Sequence, residues 1–243
     1  MTPDPRERLI VALDVSSASA AQKIVADVGD SAFTYKVGMQ LYTAEGPRVV
    51  RDLVASGRRV FLDLKYHDIP NTVSAAVREA ANLGVSMLTV HATGGSKMLR
   101  AATDTARNAN PDLLVLAVTV LTSMDETDLR EIELAGPVSN AVLRLAKLAL
   151  AQGCRGVVAS PLEASALRRE LGRDRDFAIV TPGVRPAGSS AGDQARFSTP
   201  AEAIAAGASH IVVGRPITAA PNPAVAARSI LEEMASHALP QLA

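Results

Sequence analysis

Eight short apolar runs recur along the chain at fairly even spacing: LIVALD (9–14), FTYKVG (33–38), RVFLDLK (59–65), VSMLTVH (85–91), LLVLAVTV (113–120), GVVAS (156–160), FAIVTPG (177–183) and HIVVGR (210–215). Each is rich in Val, Ile or Leu and nearly continuous rather than alternating, as parallel strands buried on both faces are. Helical patterns lie between them. Residues 19–29 are amphipathic, with Ser19 as the expected N-cap. Residues 71–84 follow Pro70 and end at Gly84, and the patterns 138–153 and 199–207 also end on glycine, a common helix terminator. Residues 223–238 supply the last helix.

Eight strands alternating with helices within 243 residues predict an α/β fold, a (β/α)8 TIM barrel forming one domain over residues 1–243. A doubly wound open sheet is the alternative. Neither a linker nor a low-complexity stretch nor an internal repeat interrupts the pattern.

Composition narrows the picture. Hydrophobic residues make up 48% of the chain but aromatics only 3%, with no Trp, so the core must be aliphatic. Twenty-five basic residues balance twenty-five acidic ones, which gives no basic surface for nucleic acid and no acidic tail. The one cysteine, Cys154, excludes an internal disulfide, fits a reducing compartment and reads as a buried structural thiol rather than a nucleophile. The N-terminal MTPDPRERL carries four charges and two prolines, unlike a signal peptide, and no apolar run approaches the ~18 residues of a membrane span. A cytoplasmic protein is expected.

In barrels of this kind the active site lies at the C-terminal ends of the strands. The apolar runs end there in Asp14, Lys36, Asp63 with Lys65, His91, Thr122 with Ser123, Ser160, and Gly214 with Arg215. Asp63 and Lys65 are two apart, so on a strand both face the barrel interior while Leu62 and Leu64 face the helices. Asp68 follows in the loop before Pro70, and Lys36 ends the neighbouring strand. An alternating array of Lys36, Asp63, Lys65 and Asp68 is expected. Carboxylates beside a lysine favour its charged form, and a fixed ammonium stabilises developing negative charge and then donates a proton. The plainer alternative is an ion-pair network that closes the barrel top.

A phosphate grip is expected after the eighth strand, in VVGRPIT (212–218). Gly214 would admit a phosphate to backbone N–H groups and Arg215 would bind it bidentately. Arg215 on a solvated face is the alternative. The loop PGVRPAGSSAGDQARF (182–197) reads as a lid that brings Arg185 and Gln194 to the phosphate, or else as a surface loop without a role. Other signals are weaker. GSSAG (188–192) matches G-x-S-x-G as a string but sits within a loop, so Ser190 is not expected to be a nucleophile. No Walker A, G-x-G-x-x-G or HExxH motif is present. His67, His91, Asp63 and Asp68 include metal-ligand types, but the lysines beside the carboxylates argue against a metal. His210 opens the eighth strand at the barrel bottom, a structural position, and His237 near the C-terminus reads as solvated.

DLKYHDIPNT (63–72) resembles the D-x-K-x-x-D signature of the orotidine 5'-phosphate decarboxylase family in its bacterial form. VALD (11–14), YKVG (35–38), VTVLTS (118–123), TPGVRPAGSSAGDQ (181–194) and VGRPIT (213–218) follow in the family's order and cover nearly the whole chain. The resemblance implies loss of CO2 from orotidine 5'-phosphate to give UMP, the last step of de novo pyrimidine synthesis, with no metal and no organic cofactor. It makes Lys65 the proton donor to C6, with Asp63, Asp68 and Lys36 completing the charged array. It assigns Asp14 and Lys36 to the ribose hydroxyls and Thr122 and Ser123 to the pyrimidine edge. Arg185, Gln194, Gly214 and Arg215 would hold the phosphate, and Pro182 adds a substrate contact. It also implies a homodimer in which Asp68, Ile69 and Thr72 reach the partner's site. Two alternatives remain: a metal-dependent sugar-phosphate aldolase or decarboxylase that shares D-x-K-x-x-D, and an inactive barrel that only binds a nucleotide. The loop with Arg185 and Gln194 and the complete set of four charges favour the decarboxylase.

Overall fold

The structure is a computed structural model, which describes residues 4–134, 136–171, 177–186 and 198–236. Gln194, Ser190 with the rest of GSSAG, and His237 lie outside the described residues. Eight parallel strands close in sequence order: β1 (Leu9–Ala12), β2 (Thr34–Gly38), β3 (Arg59–Tyr66), β4 (Met87–His91), β5 (Leu114–Val118), β6 (Gly156–Val158), β7 (Ala178–Thr181) and β8 (His210–Val213). β1 pairs with both β2 and β8, which shuts the barrel and excludes the open sheet. The apolar runs overshoot the strands because their last residues leave the ladder at the barrel mouth. Asp14, Ser160 and Gly214 all stand just past a strand end.

Strand alternation divides the core into two layers. Ile10, Ala12, Phe61, Met87, Leu116, Ala178, Val180 and Val212 fill the barrel interior. Leu9, Val11, Val37, Leu62, Leu88, Ile179 and Val213 face outward and pack with the helices. Both layers are nearly all aliphatic, as the composition requires. The interior layer is tight at Gly156, where a Cβ would come within 2.4 Å of the Ala178 carbonyl oxygen and 2.8 Å of Leu116 Cδ2. Only glycine fits β6 between those two neighbours.

The helices Ala18–Val28, Pro70–Asn82, Val138–Ala151, Pro200–Ala205 and Pro223–Ser236 stand where the periodicity placed them. The first is capped by Ser17 rather than Ser19. Ser17 has the extended backbone a cap needs, and its Oγ accepts the Ala20 N–H at 3.2 Å, whereas Ser19 lies inside the helix. Helices Met39–Glu45, Arg48–Ala55, Gly95–Ala109, Glu126–Glu131 and Pro161–Leu171 complete the outer ring. Pro70 opens its helix at the first position, as expected, and so ends the loop that leaves β3.

Two buried groups lie away from the mouth. Burial pushes the Cys154 thiol up to about 12, which suits an inert structural role. His210 starts β8 at the lower rim, and its buried Nδ1 has no hydrogen-bond partner among the described residues. Burial, with the positive charges of Arg8 and Arg59, lowers its imidazole to about 4. Among the described residues no helix is long and apolar enough to cross a membrane.

Candidate active site

The strand ends converge on one cavity of about 540 Å³ at the mouth of the barrel. Its floor is the top of the interior layer, Ala12, Phe61, Val158 and Val212, and its rim carries the charges. Asp14 follows β1, Lys36 belongs to β2, and Asp63 and Lys65 belong to β3; all four line the cavity.

These four form a continuous chain of opposite charges. Lys36 Nζ donates to Asp14 Oδ1 at 2.9 Å and lies 3.8 Å from Asp63 Oδ2. The other oxygen of Asp63, Oδ1, accepts from Lys65 Nζ at 3.0 Å. Lys36 and Asp63 are only 13% and 15% exposed, so each depends on its partners to offset lost hydration. Three members of the expected array, Lys36, Asp63 and Lys65, stand together in this chain. Asp14 extends it through Lys36, and Asp68 stands outside the cavity of its own chain. Asp68 is exposed, takes no part in the cavity lining, and accepts the N–H of the next residue, Ile69, at 2.6 Å. A carboxylate tied to its own chain at the entry to the helix Pro70–Asn82 does not reach the β3 lysine.

Lys65 reaches the cavity by a route that simple alternation did not predict. Its backbone is left-handed, φ 52°, a region that residues with a side chain rarely adopt. β3 and β4 pair at Leu62 with Leu88 and again at Tyr66 with Val90, so Asp63, Leu64 and Lys65 face Thr89 alone. Thr89 is fully buried, and its Oγ1 accepts the Lys65 N–H at 2.9 Å and donates to Asp63 Oδ1 at 3.0 Å. Sequence reasoning passed over Thr89. The available signal was a hydroxyl at an inward position of an otherwise apolar run, MLTVH, on the strand beside the charges.

The rim after β7 and β8 is cationic. Arg185, Gly214 and Arg215 line the same cavity, together with Pro182 and Thr122. The Arg185 N–H donates to the Ser198 carbonyl at 2.9 Å, and a bridge between Val184 and Ser198 fixes that turn. The buried Arg185 Nε has no hydrogen-bond partner among the described residues. A buried guanidinium nitrogen left in that state calls for an acceptor. Ser123, beside Thr122, is exposed and does not line the cavity. Ile69 and Thr72 are exposed as well, Ile69 at 66%.

His67 and His91 stack beside Lys65, with ring centroids 5.2 Å apart, and His91 Nδ1 lies 2.7 Å from Thr93 Oγ1. Burial holds the His91 imidazole below its ordinary range, helped by His67 and by the positive charge of Lys65. Among the described residues no three His, Cys, Asp or Glu side chains are grouped as a metal ion would require.

Known proteins resemble this chain along nearly its whole length. The family model described as orotidine 5'-phosphate decarboxylase / HUMPS family matches residues 7–230. A protein of Halorhodospira halophila named orotidine 5'-phosphate decarboxylase is 54% identical over 229 residues, which cover 94% of this chain and 96% of that one. A protein of the same name from Moorella thermoacetica is 50% identical over 235 residues, covering 94% and 92%. The crystal structure of orotidine 5'-phosphate decarboxylase from Lactobacillus acidophilus superposes with a TM-score of 0.83 at 42% identity, covering 94% of this chain and 99% of that one. An uncharacterized conserved protein from Geobacillus kaustophilus superposes with a TM-score of 0.80 at 35% identity. With a barrel closed in the same way and a family match that spans 7–230, the chain belongs to the orotidine 5'-phosphate decarboxylase / HUMPS family.

Proposed function

We propose that this chain is a one-domain, cytoplasmic enzyme that decarboxylates orotidine 5'-phosphate to UMP, the last step of de novo pyrimidine synthesis. One observation carries the reading. The charge chain Asp14–Lys36–Asp63–Lys65 and the two guanidiniums of Arg185 and Arg215 line a single cavity. That arrangement suits a substrate with a phosphate at one end and a reacting carbon at the other. The relatives named for this activity match over almost the full chain, which favours it over a metal-dependent aldolase.

In this mechanism the C6 carboxylate leaves as CO2 and its bonding pair stays on C6. The ring delocalises that pair poorly. The Lys65 ammonium, held by Asp63, stabilises it by proximity and then gives C6 a proton. Asp14 and Lys36 hold ribose hydroxyls, and Thr122 and Ser123 meet the pyrimidine edge. Arg185, Gly214 and Arg215, with Gln194, grip the phosphate, and Pro182 contacts the substrate. No metal or organic cofactor takes part.

The site is completed in a homodimer. Asp68, Ile69 and Thr72 form an exposed group on this chain, and exposed Ile69 supports its burial by a second copy. Asp68 of each copy then enters the partner's cavity.

The test is the loss of orotidine 5'-phosphate absorbance on adding purified protein, with and without EDTA. Loss unaffected by EDTA is expected. Activity abolished by EDTA would transfer the chain to the metal-dependent branch, and no loss in either arm would defeat the substrate assignment.

A further inference from the structure

We infer that Thr89 is a positioning residue for the decarboxylation, acting through Lys65 and Asp63 without touching substrate. This rests on the role proposed above for Lys65. The observation is a single buried hydroxyl that makes two hydrogen bonds to the two residues of the charge chain on β3. Three residues of β3 face Thr89 alone, so the strand bulges at that point. The left-handed backbone of Lys65 is the consequence, and such a conformation persists only where the surroundings hold it. Thr89 Oγ1 holds it by accepting the Lys65 N–H. The same oxygen donates its proton to Asp63 Oδ1, which also receives Lys65 Nζ. That leaves Oδ2 turned to Lys36. One hydroxyl therefore sets both where the Lys65 side chain starts and how the carboxylate that steadies its tip is rotated. A methyl group in place of the hydroxyl keeps the volume and removes both bonds.

The experiment compares Thr89→Val, Thr89→Ser and wild type in three readouts: kcat, KM for orotidine 5'-phosphate, and hydrogen exchange at the Lys65 amide. Displacing a catalytic group by about 1 Å lowers turnover by about 100-fold. T89V should show that loss in kcat, with KM within about threefold because the phosphate grip is untouched. Its Lys65 amide should exchange at least about tenfold faster. T89S should restore all three. Thr89→Ala is read in the same way if T89V does not fold. Wild-type kcat in folded T89V, T89S as impaired as T89V, a KM that rises in step with the loss of kcat, or failure of both T89V and T89A to fold would each overturn the inference. If wild type itself does not turn over orotidine 5'-phosphate, the functional reading has failed and the exchange arm alone decides the clamp. Faster exchange in T89V with recovery in T89S supports it, and unchanged exchange overturns it.

Discussion

Lys65 donates to Asp63 across 3.0 Å from a left-handed backbone that, among the described residues, only one other non-glycine residue, Glu133, shares. The proposed proton donor thus occupies a conformation its own chemistry disfavours, as strained residues at functional sites do. The proposed phosphate grip, at Arg185 and Arg215, lies elsewhere around the cavity. Lys65→Ala should therefore lower kcat by at least about 10³-fold while binding of UMP changes little. Steady-state turnover and calorimetric titration with UMP check this. A loss of UMP affinity that matches the loss of turnover would place Lys65 in ground-state binding instead.

The same backbone makes an unusual prediction about stability. An L-residue with a Cβ at φ 52° pays about 1 kcal/mol relative to glycine, which visits that region freely. Lys65→Gly should therefore be more stable than Lys65→Ala by about 1 kcal/mol, reversing the usual order within a strand. Urea midpoints of the two variants decide it. A more stable alanine variant would mean that β3 relaxes out of the bulge.

Gly38 guards the other lysine. A Cβ there would stand 2.9 Å from Lys36 Nζ, too close for the ammonium to stay where it meets Asp14 and Asp63. Its backbone is extended (φ −94°, ψ −177°), so alanine is conformationally acceptable. Gly38→Ala should fold normally, with an unchanged thermal midpoint, and lose about tenfold or more in kcat/KM because the displaced ammonium no longer bridges two carboxylates. Normal kcat/KM would show that the long Lys36 side chain absorbs the shift.

The strands were legible because burial on both faces writes a continuous aliphatic run, and HIVVGR or LIVALD needs no neighbour to be recognised. Helix Gly95–Ala109 was not, because its buried face is built from Ala102, Thr103 and Ala106 beside Met98 and Leu99, a stripe too weakly apolar to stand out. Asp63 and Lys65 could be placed in the cavity from their spacing alone, and Arg215 from its position after β8. The bulge that shapes Lys65 could not, since it depends on Thr89, 24 residues away on another strand. Asp68 was assigned to the array from its charge and proximity in sequence. The loop geometry that ties it to the Ile69 amide leaves no trace in composition.

His210 predicts an acid sensitivity unrelated to catalysis. Its imidazole titrates near 4 in the folded chain, lowered by burial and by Arg8 and Arg59, against an ordinary value of 6.5. Between those two values the unfolded chain binds a proton that the native chain does not. Stability is therefore lost as pH falls from about 6.5 towards 4, by on the order of 3 kcal/mol, and no further below. His210→Phe should flatten that part of the pH dependence of the urea midpoint, while the carboxylates contribute equally to both proteins and cancel. Parallel curves for wild type and variant would rule out His210 as the source.

The proposed sharing of the site between two copies makes a prediction that neither variant alone can satisfy. Lys65→Ala and Asp68→Ala proteins should each be nearly inactive if both residues serve one reaction. If Asp68 acts across a two-fold interface, a mixed dimer holds one doubly damaged site and one intact site. The intact site combines Lys65 of the Asp68→Ala chain with Asp68 supplied by the other. Random pairing then gives about a quarter of wild-type sites. Co-refolding equal amounts of the two variants should restore activity to about that fraction, and dilution should remove it as dimers separate. If Asp68 served its own chain, every site in the mixture would carry one lesion and no activity would return. Because Asp68 is exposed and held by its own Ile69 amide, outside the cavity of its own chain, restored activity is the expected result.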